Sequence, residues 1–433
     1  MSALSPPRVA RTPLVSRGDL RTIVVADGSP TRPGRPRRLF AIVPFLAVAV
    51  AGGTSLRASD TGAATAPQRT PTVRAADDDG GGSASPRGNE GRRGSPPTPR
   101  RLTLAFSGDI LIHQALWEVA AEHAADGRAF DFRPMFASLR PVVAGADLAI
   151  CHLEVPLSPD DAELSSYPVF EAPHELAPAI AWAGYDGCST ASNHSLDGGA
   201  EGVRATLRWL DWAGLAHAGT ARTPREAGRI TTYDVGGVTI AHLSASWGFN
   251  GFTPDAPWRA DRIDVSALLE DARRAERAGA DLIVLSLHWG LEYTHTPTAW
   301  QEETAERLAR SPAIDLIVGH HAHVVQPIAR IHGTWVAYGL GNLLSGMTAS
   351  LGTEAVRDGV VLLAVAERRG ARWSIERLRP VPTRVEVGTW RVLPVGRTLR
   401  TRALPAALRS ELRASGARTS EVLTAFGAPI GTG

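Results

Sequence analysis

From residue 102 onward, short apolar runs alternate with stretches whose apolar positions recur at helical spacing, which predicts an α/β domain. The segments "LTLAFSGD", "ADLAICHLE", "YDGCSTASN", "ADLIVLSLHW" and "IDLIVGHH" read as strands. "VSALLEDARRAERAGA" and "TAWQEETAERLARS" read as amphipathic helices with solvated charged faces. "TTYDVGGVTIAHLSA" predicts a hairpin turning at Gly236-Gly237. Between 245 and 262 the chain mixes aromatics, glycines and prolines without a period, which predicts a loop over a cleft, with Trp247 and Trp258 as candidate polymer contacts. After Arg379 the tail predicts two short helices, over "ALPAALRSELRAS" and "TSEVLTAFG".

The first hundred residues follow a different pattern. An arginine-rich stretch precedes the uncharged segment 39–56, and small residues around 49–51 suit signal cleavage, so residues 1–56 read as a basic region with an export signal or a signal anchor. Arg37-Arg38-Leu39-Phe40 resembles the twin-arginine export signature. Residues 57–101 are rich in Gly, Pro, Ser and charge and nearly free of large apolar side chains, which predicts a disordered linker. The folded domain is therefore expected over 102–380, with a C-terminal extension over 381–433. The expected location is extracytoplasmic, secreted or anchored to the membrane by residues 39–56.

Composition narrows this picture in two ways. A formal net charge of +2 excludes a dedicated nucleic-acid binder. The two cysteines, Cys151 and Cys188, are too few for a disulfide framework and sit in or beside apolar runs, so they read as small buried hydrophobes rather than a bridge.

The ends of the strand runs carry the candidate chemistry. They deliver Asp109; His152 and Glu154; Asn193, His194 and Asp197; His288 and Glu292; and His320, His321 and His323. Ligand sites in open α/β sheets form beyond the carboxyl ends of strands, so these endings can converge on one site. Imidazole, carboxylate and carboxamide without thiolate suit Mn, Fe or Zn, as one or two ions. On an extended segment His321 and His323 point to one side and can chelate one ion or serve two. Two ions can lower the pKa of a shared water and clamp the oxygens of an ester under hydrolysis. His123, His174, His217, His242, His295 and His332 read as structural or surface residues.

"SGDILIH", "ADLAICHLEVPLS", "ASNHSLDGGAEGV", "LHWGLEY", "GHHAHVVQPI" and "YGLGNLLS" together resemble the bacterial capsule-synthesis (poly-γ-glutamate) CapA-like family, a branch of the calcineurin-like metallophosphoesterases. The resemblance implies a four-layer sandwich of two packed mixed sheets flanked by helices. It also implies metal ligation by Asp109, Glu154, Asn193, His288, His321 and His323, with His194 as general acid oriented by Asp197. His113, His152, Glu292, Tyr293, His320 and Asn342 are then candidates for the cleft or for support of the ligands. The superfamily's opening D-x-H is here Asp109-Ile110-Leu111, and its bridging G-D-x-x-D is absent, leaving Glu154 as the substitute and His113 as a replacement candidate. The implied function is hydroxide-driven hydrolysis of a phosphoester or an anionic envelope polymer; the alternative is a non-catalytic polymer-binding assembly or export factor. Other capsule-synthesis proteins are the implied partners.

Overall fold

A computed structural model describes residues 100–125 and 127–431; the expected export segment and most of the linker lie outside the described residues. The strands are β1 (Arg101–Leu111), β2 (Leu148–Leu153), β3 (Gly187–Ser189), β4 (Ala216–Ala218), β5 (Thr231–Asp234), β6 (Thr239–Ser246), β7 (Leu282–His288), β8 (Leu316–His320), β9 (Ile328–Ile331), β10 (Thr334–Ala337), β11 (Asn342–Ser345), β12 (Asp358–Arg369), β13 (Arg372–Val385) and β14 (Val392–Pro394). They form two mixed sheets. One runs β14-β13-β12-β1-β2-β3-β4 with β11 also paired to β1, and the other runs β5-β6-β7-β8-β10-β9.

Period-two alternation explains the layers. Leu104 and Phe106 of β1 and Leu148 and Ile150 of β2 meet Ile240, Val284, Leu316 and Val318 of the second sheet in a core between the sheets. The opposite faces pack on helices: Ala149 and Leu153 with the helix Leu176–Ala183 and Leu207 of the helix Gly199–Trp212, and Leu285 and Ile317 with the helices Val265–Arg277 and Ala299–Ala309. This is the four-layer α/β/β/α sandwich that the sequence implies.

β1 changes partner part-way along, and that change makes room for the site. Residues 101–107 pair antiparallel with β12, whereas Asp109–Leu111 pair parallel with β11 on the same side and with β2 on the other. Gly108 permits the crossover, because a Cβ there would lie 2.0 Å from the carbonyl oxygen of Gly341. Asp109 is thus enclosed at the junction of three strands.

Two expectations are corrected here. Cys151 and Cys188 face each other in register on neighbouring strands β2 and β3 and form a disulfide. The chain separation of 37 residues concealed a pairing that only strand adjacency creates. Closing a loop of 37 residues is worth about 3–4 kcal/mol. Cys151→Ser/Cys188→Ser should therefore lower unfolding stability by about that amount, measured by urea denaturation of parent and variant. In the tail, a single helix, Ala406–Thr424, replaces the two short ones, and the limit at 380 falls inside β13. Asp358 binds the tail down: its carboxylate, buried like Arg384, accepts from Arg384 at 2.6 Å and from Arg418 at 2.6 Å.

Candidate metal centre and acid dyad

Local geometry places the ligands. β7 ends on His288 and β8 on His320, adjacent in register, while His152 pairs with Asp109 across β1 and β2. The chain then turns sharply. His321 and His323 adopt left-handed backbone angles, φ 89° and 55°, so they do not lie on the extended segment expected from their spacing. What holds this strained turn is Asp109, whose Oδ2 accepts the His321 backbone N–H at 3.1 Å while Oδ1 lies 3.1 Å from His320 Nδ1.

Asn342 orients the last histidine. Its Nδ2 donates to the Val356 carbonyl at 2.8 Å, which leaves Oδ1 to accept from His323 Nδ1 at 3.0 Å. His323 Nε2 consequently faces Glu154 Oε1 at 3.6 Å, and His288 Nε2 lies 3.8 Å from the same oxygen. Both Glu154 oxygens are buried without a hydrogen-bond partner, as is His321 Nδ1. Buried carboxylates are normally hydrogen-bonded, and this one has only the His323 and His288 ring nitrogens near it, beyond hydrogen-bond distance.

A proton count supports the same conclusion. The Ser189 hydroxyl donates to the Cys151 carbonyl, so His152 Nδ1–H donates to Ser189 Oγ at 2.8 Å. His152 Nε2 then accepts from His288 Nδ1–H at 2.9 Å, and His288 Nε2 is left bare, 2.8 Å from the Asn193 carboxamide oxygen. Two lone pairs that converge beside an unpartnered carboxylate are the donor set of a divalent cation. The residues therefore fit the metal: Glu154, Asn193, His288, His321 and His323 would hold it. His152 spends both ring nitrogens on this chain, so it positions His288, although with Asp109 and His320 it forms a second group of ligand-competent side chains. His320 stacks on His152 at 4.0 Å.

His194 stands apart from these ligands with a different partner. Its Nδ1 is 2.7 Å from Asp197 Oδ2, and the same oxygen accepts the Phe170 N–H at 2.7 Å. The Phe170 ring meets His194 edge-on at 4.7 Å and His113 at 5.1 Å. His113 Nδ1 is taken up by the backbone, 3.1 Å from the Leu111 carbonyl oxygen and 3.2 Å from the Gly346 nitrogen. At the mouth, Trp247 lies 5.6 Å from His321 and Tyr293 lies 6.2 Å from His323, ring to ring, while Glu292 is exposed beside them. Trp258 is instead covered by Arg259 at 4.4 Å. Sequence reasoning passes over Asn250, whose Nδ2 sits 3.4 Å from His194 Nδ1; the irregular 245–262 loop was its one signal.

A model of the bacterial capsule synthesis protein PGA_cap family matches residues 103–347, more than half of the chain. The chain belongs to this family. It is 27% identical over 256 residues to the capsule biosynthesis protein CapA of Bacillus anthracis, covering 56% of this chain and 60% of that one. It is 27% identical to the PGA biosynthesis protein CapA of Bacillus subtilis (56% and 63%). It is 25% identical to a probable polyglutamine synthesis accessory protein of Mycobacterium tuberculosis (55% and 66%). The match thus spans less than two thirds of the length of these relatives. Among solved structures, the calcineurin-like phosphoesterase YfkN of Bacillus subtilis aligns at 12% identity and a TM-score of 0.38, covering 74% of this chain and 98% of that one. A 5'-nucleotidase precursor of Thermus thermophilus aligns at 14% and 0.40, covering 74% and 58%.

Electrostatics of the PGA_cap site follow from burial. Burial pushes His152 and His288 well below the ordinary imidazole range, so both are neutral ligands or supports. His321 falls to about 3 through burial and the neighbouring His323. Burial also works against a charged His323, but Glu154 and Asp109 hold it up at about 9. The Glu154 carboxyl is driven well above the carboxylate range by burial, against the pull of His323. Asp109 moves the other way despite its burial, because His320 and His323 hydrogen-bond to it.

Proposed function

We propose that this PGA_cap protein is a metal-dependent hydrolase of envelope-polymer biosynthesis, acting outside the cytoplasmic membrane on a phosphoester or on an anionic polymer of the poly-γ-glutamate kind. The observation that carries the reading is the pairing of a buried Glu154, beyond hydrogen-bond reach of the imidazoles around it, with a separate His194–Asp197 dyad. When bound, a divalent ion, Mn, Fe or Zn by the chemistry of the donors, supplies a Lewis acid and lowers the pKa of a water. The chain's own part is to place charge and protons. Asp197 fixes the His194 tautomer so that Nε2 can pass a proton to a leaving oxygen. Trp247 and Tyr293 form an aromatic rim against which a polymer backbone can lie. The Cys151–Cys188 bridge supports an oxidising compartment. No helix among the described residues is long and apolar enough to cross a membrane; on this reading residues 39–56, outside the described residues, serve as the export signal or anchor.

A second reading keeps the metal and drops turnover: the cleft would bind an anionic polymer for assembly, together with other capsule-synthesis proteins. The name of the Mycobacterium tuberculosis relative, an accessory protein, favours it. One experiment separates both readings from a metal-free one. Elemental analysis of the purified protein should find one or two equivalents of metal, and none in His321→Ala/His323→Ala. Turnover of phosphodiesters or γ-glutamyl polymers by the loaded parent selects the hydrolase, and tight polymer binding without turnover selects the assembly factor. Absence of metal from the parent after reconstitution would overturn both.

A further inference from the structure

One cavity lies away from the metal ligands. It holds about 270 Å³ at the edge of the second sheet, between the N-terminal end of β5 and the segment around Asp261. Its floor is β6. Val235 and Val238 exchange both backbone hydrogen bonds at the hairpin, and every second pair back along the ladder does the same, which makes Thr231 and His242 a hydrogen-bonded pair. Further on, Ser246 donates to the Asp261 carbonyl at 2.9 Å and accepts from Ile263 N–H at 2.9 Å on this same edge. Ser244 lies midway, so its backbone N–H and C=O also point outward, into the cavity. The ladder's next residue opposite Ser244 would be Arg229, but its N–H turns back to the Glu226 carbonyl at 3.0 Å. The sheet edge therefore has a gap of one residue pair, about 13 Å from His242 to Ser246 at strand rise.

Side chains at the gap are short of partners as well. Ser244 and His242 are among the lining residues, and Ser244 Oγ and His242 Nδ1 are buried atoms without a hydrogen bond. The rim carries both signs of charge: Asp271 and Arg274 pair with each other at 3.1 Å, which leaves Asp261 and Arg262. A sheet edge that lacks one paired residue is completed by a peptide unit that gives one N–H and takes one. The volume limits that peptide to a few residues, below the ~300 Å³ at which larger ligand clefts begin. Mixed rim charge suits the two termini of a zwitterion.

We infer that this cavity binds a short free peptide, of tripeptide size, as an added strand residue opposite Ser244. The site is independent of the metal centre. Calorimetric titration of the full chain with tri-alanine should show one saturable site, and hydrogen exchange of the Ser244 amide should slow when the peptide is added. Ser244→Pro removes the outward N–H and the Oγ hydroxyl but spares the β7 ladder, which uses its neighbours, and should weaken binding at least about tenfold. Capping both termini, as in N-acetyl-tri-alanine amide, should also weaken binding. His321→Ala/His323→Ala should bind like the parent. If Ser244→Pro does not fold, exchange at the parent's Ser244 decides alone. The inference fails if no saturable binding occurs up to ~10 mM, if Ser244 exchange is unchanged by peptide, or if the His321→Ala/His323→Ala variant loses binding, which would place the peptide in the metal cleft.

Discussion

His194→Ala should lower turnover of an ester with a poor leaving group by about 10²–10⁴-fold, while leaving the metal content unchanged. The magnitude is what a positioned general acid contributes, and the geometry explains why the metal should stay. His194 is held by Asp197 and braced by Phe170, and its ring hydrogen-bonds to Asp197 rather than to Glu154, His288 or His323. Comparison of leaving groups makes the test specific. A nitrophenyl ester departs without a proton, so the same substitution should cost it little, whereas an alkyl ester should suffer the full loss. Asp197→Asn should fall between, since the imidazole remains but its tautomer is no longer fixed. Equal losses on both esters, measured as kcat with metal quantified in the same samples, would remove His194 from proton transfer.

This site is only partly local in the sequence. An apolar run closing on a histidine or carboxylate is a signal contained within ten residues, so β2, β7 and β8 and their endings at His152, Glu154, His288 and His320 can be read directly. The switch of β1 from β12 to β11 beside Asp109 cannot, because both partners follow more than 200 residues later. Nor can the pairing of Cys151 with Cys188, which depends on β2 and β3 lying side by side. The turn at 321–323 is hidden for another reason. A histidine does not announce a left-handed backbone as glycine does, and the strain is held by Asp109 and Asn342 from distant strands. Histidine density was therefore a sound guide to which residues come together, and a poor guide to their arrangement.

Glu154→Gln should change stability in opposite directions with and without metal. In the stripped protein Glu154 is a buried carboxyl with neither oxygen hydrogen-bonded, a group that costs several kcal/mol when ionised. Burial raises its folded pKa above the unfolded value, so the folded state keeps a proton that the unfolded chain releases from about pH 4.5 upward. The stripped parent should therefore lose stability relative to Glu154→Gln as pH rises above 4.5, at up to about 1.4 kcal/mol per pH unit, until the folded carboxyl itself ionises. Below pH 4.5 the two should converge. With metal the order reverses. A ligand present at a hundredfold excess over its Kd stabilises the parent by about 2.7 kcal/mol, and a carboxamide in place of the anion should forfeit most of that. Urea denaturation of both proteins at pH 5 and pH 8, with chelator and with added Mn, measures all four cases. If Glu154→Gln were the less stable protein at pH 8 in chelator, Glu154 would already have a partner within the chain, and the carboxylate would not be waiting for an ion.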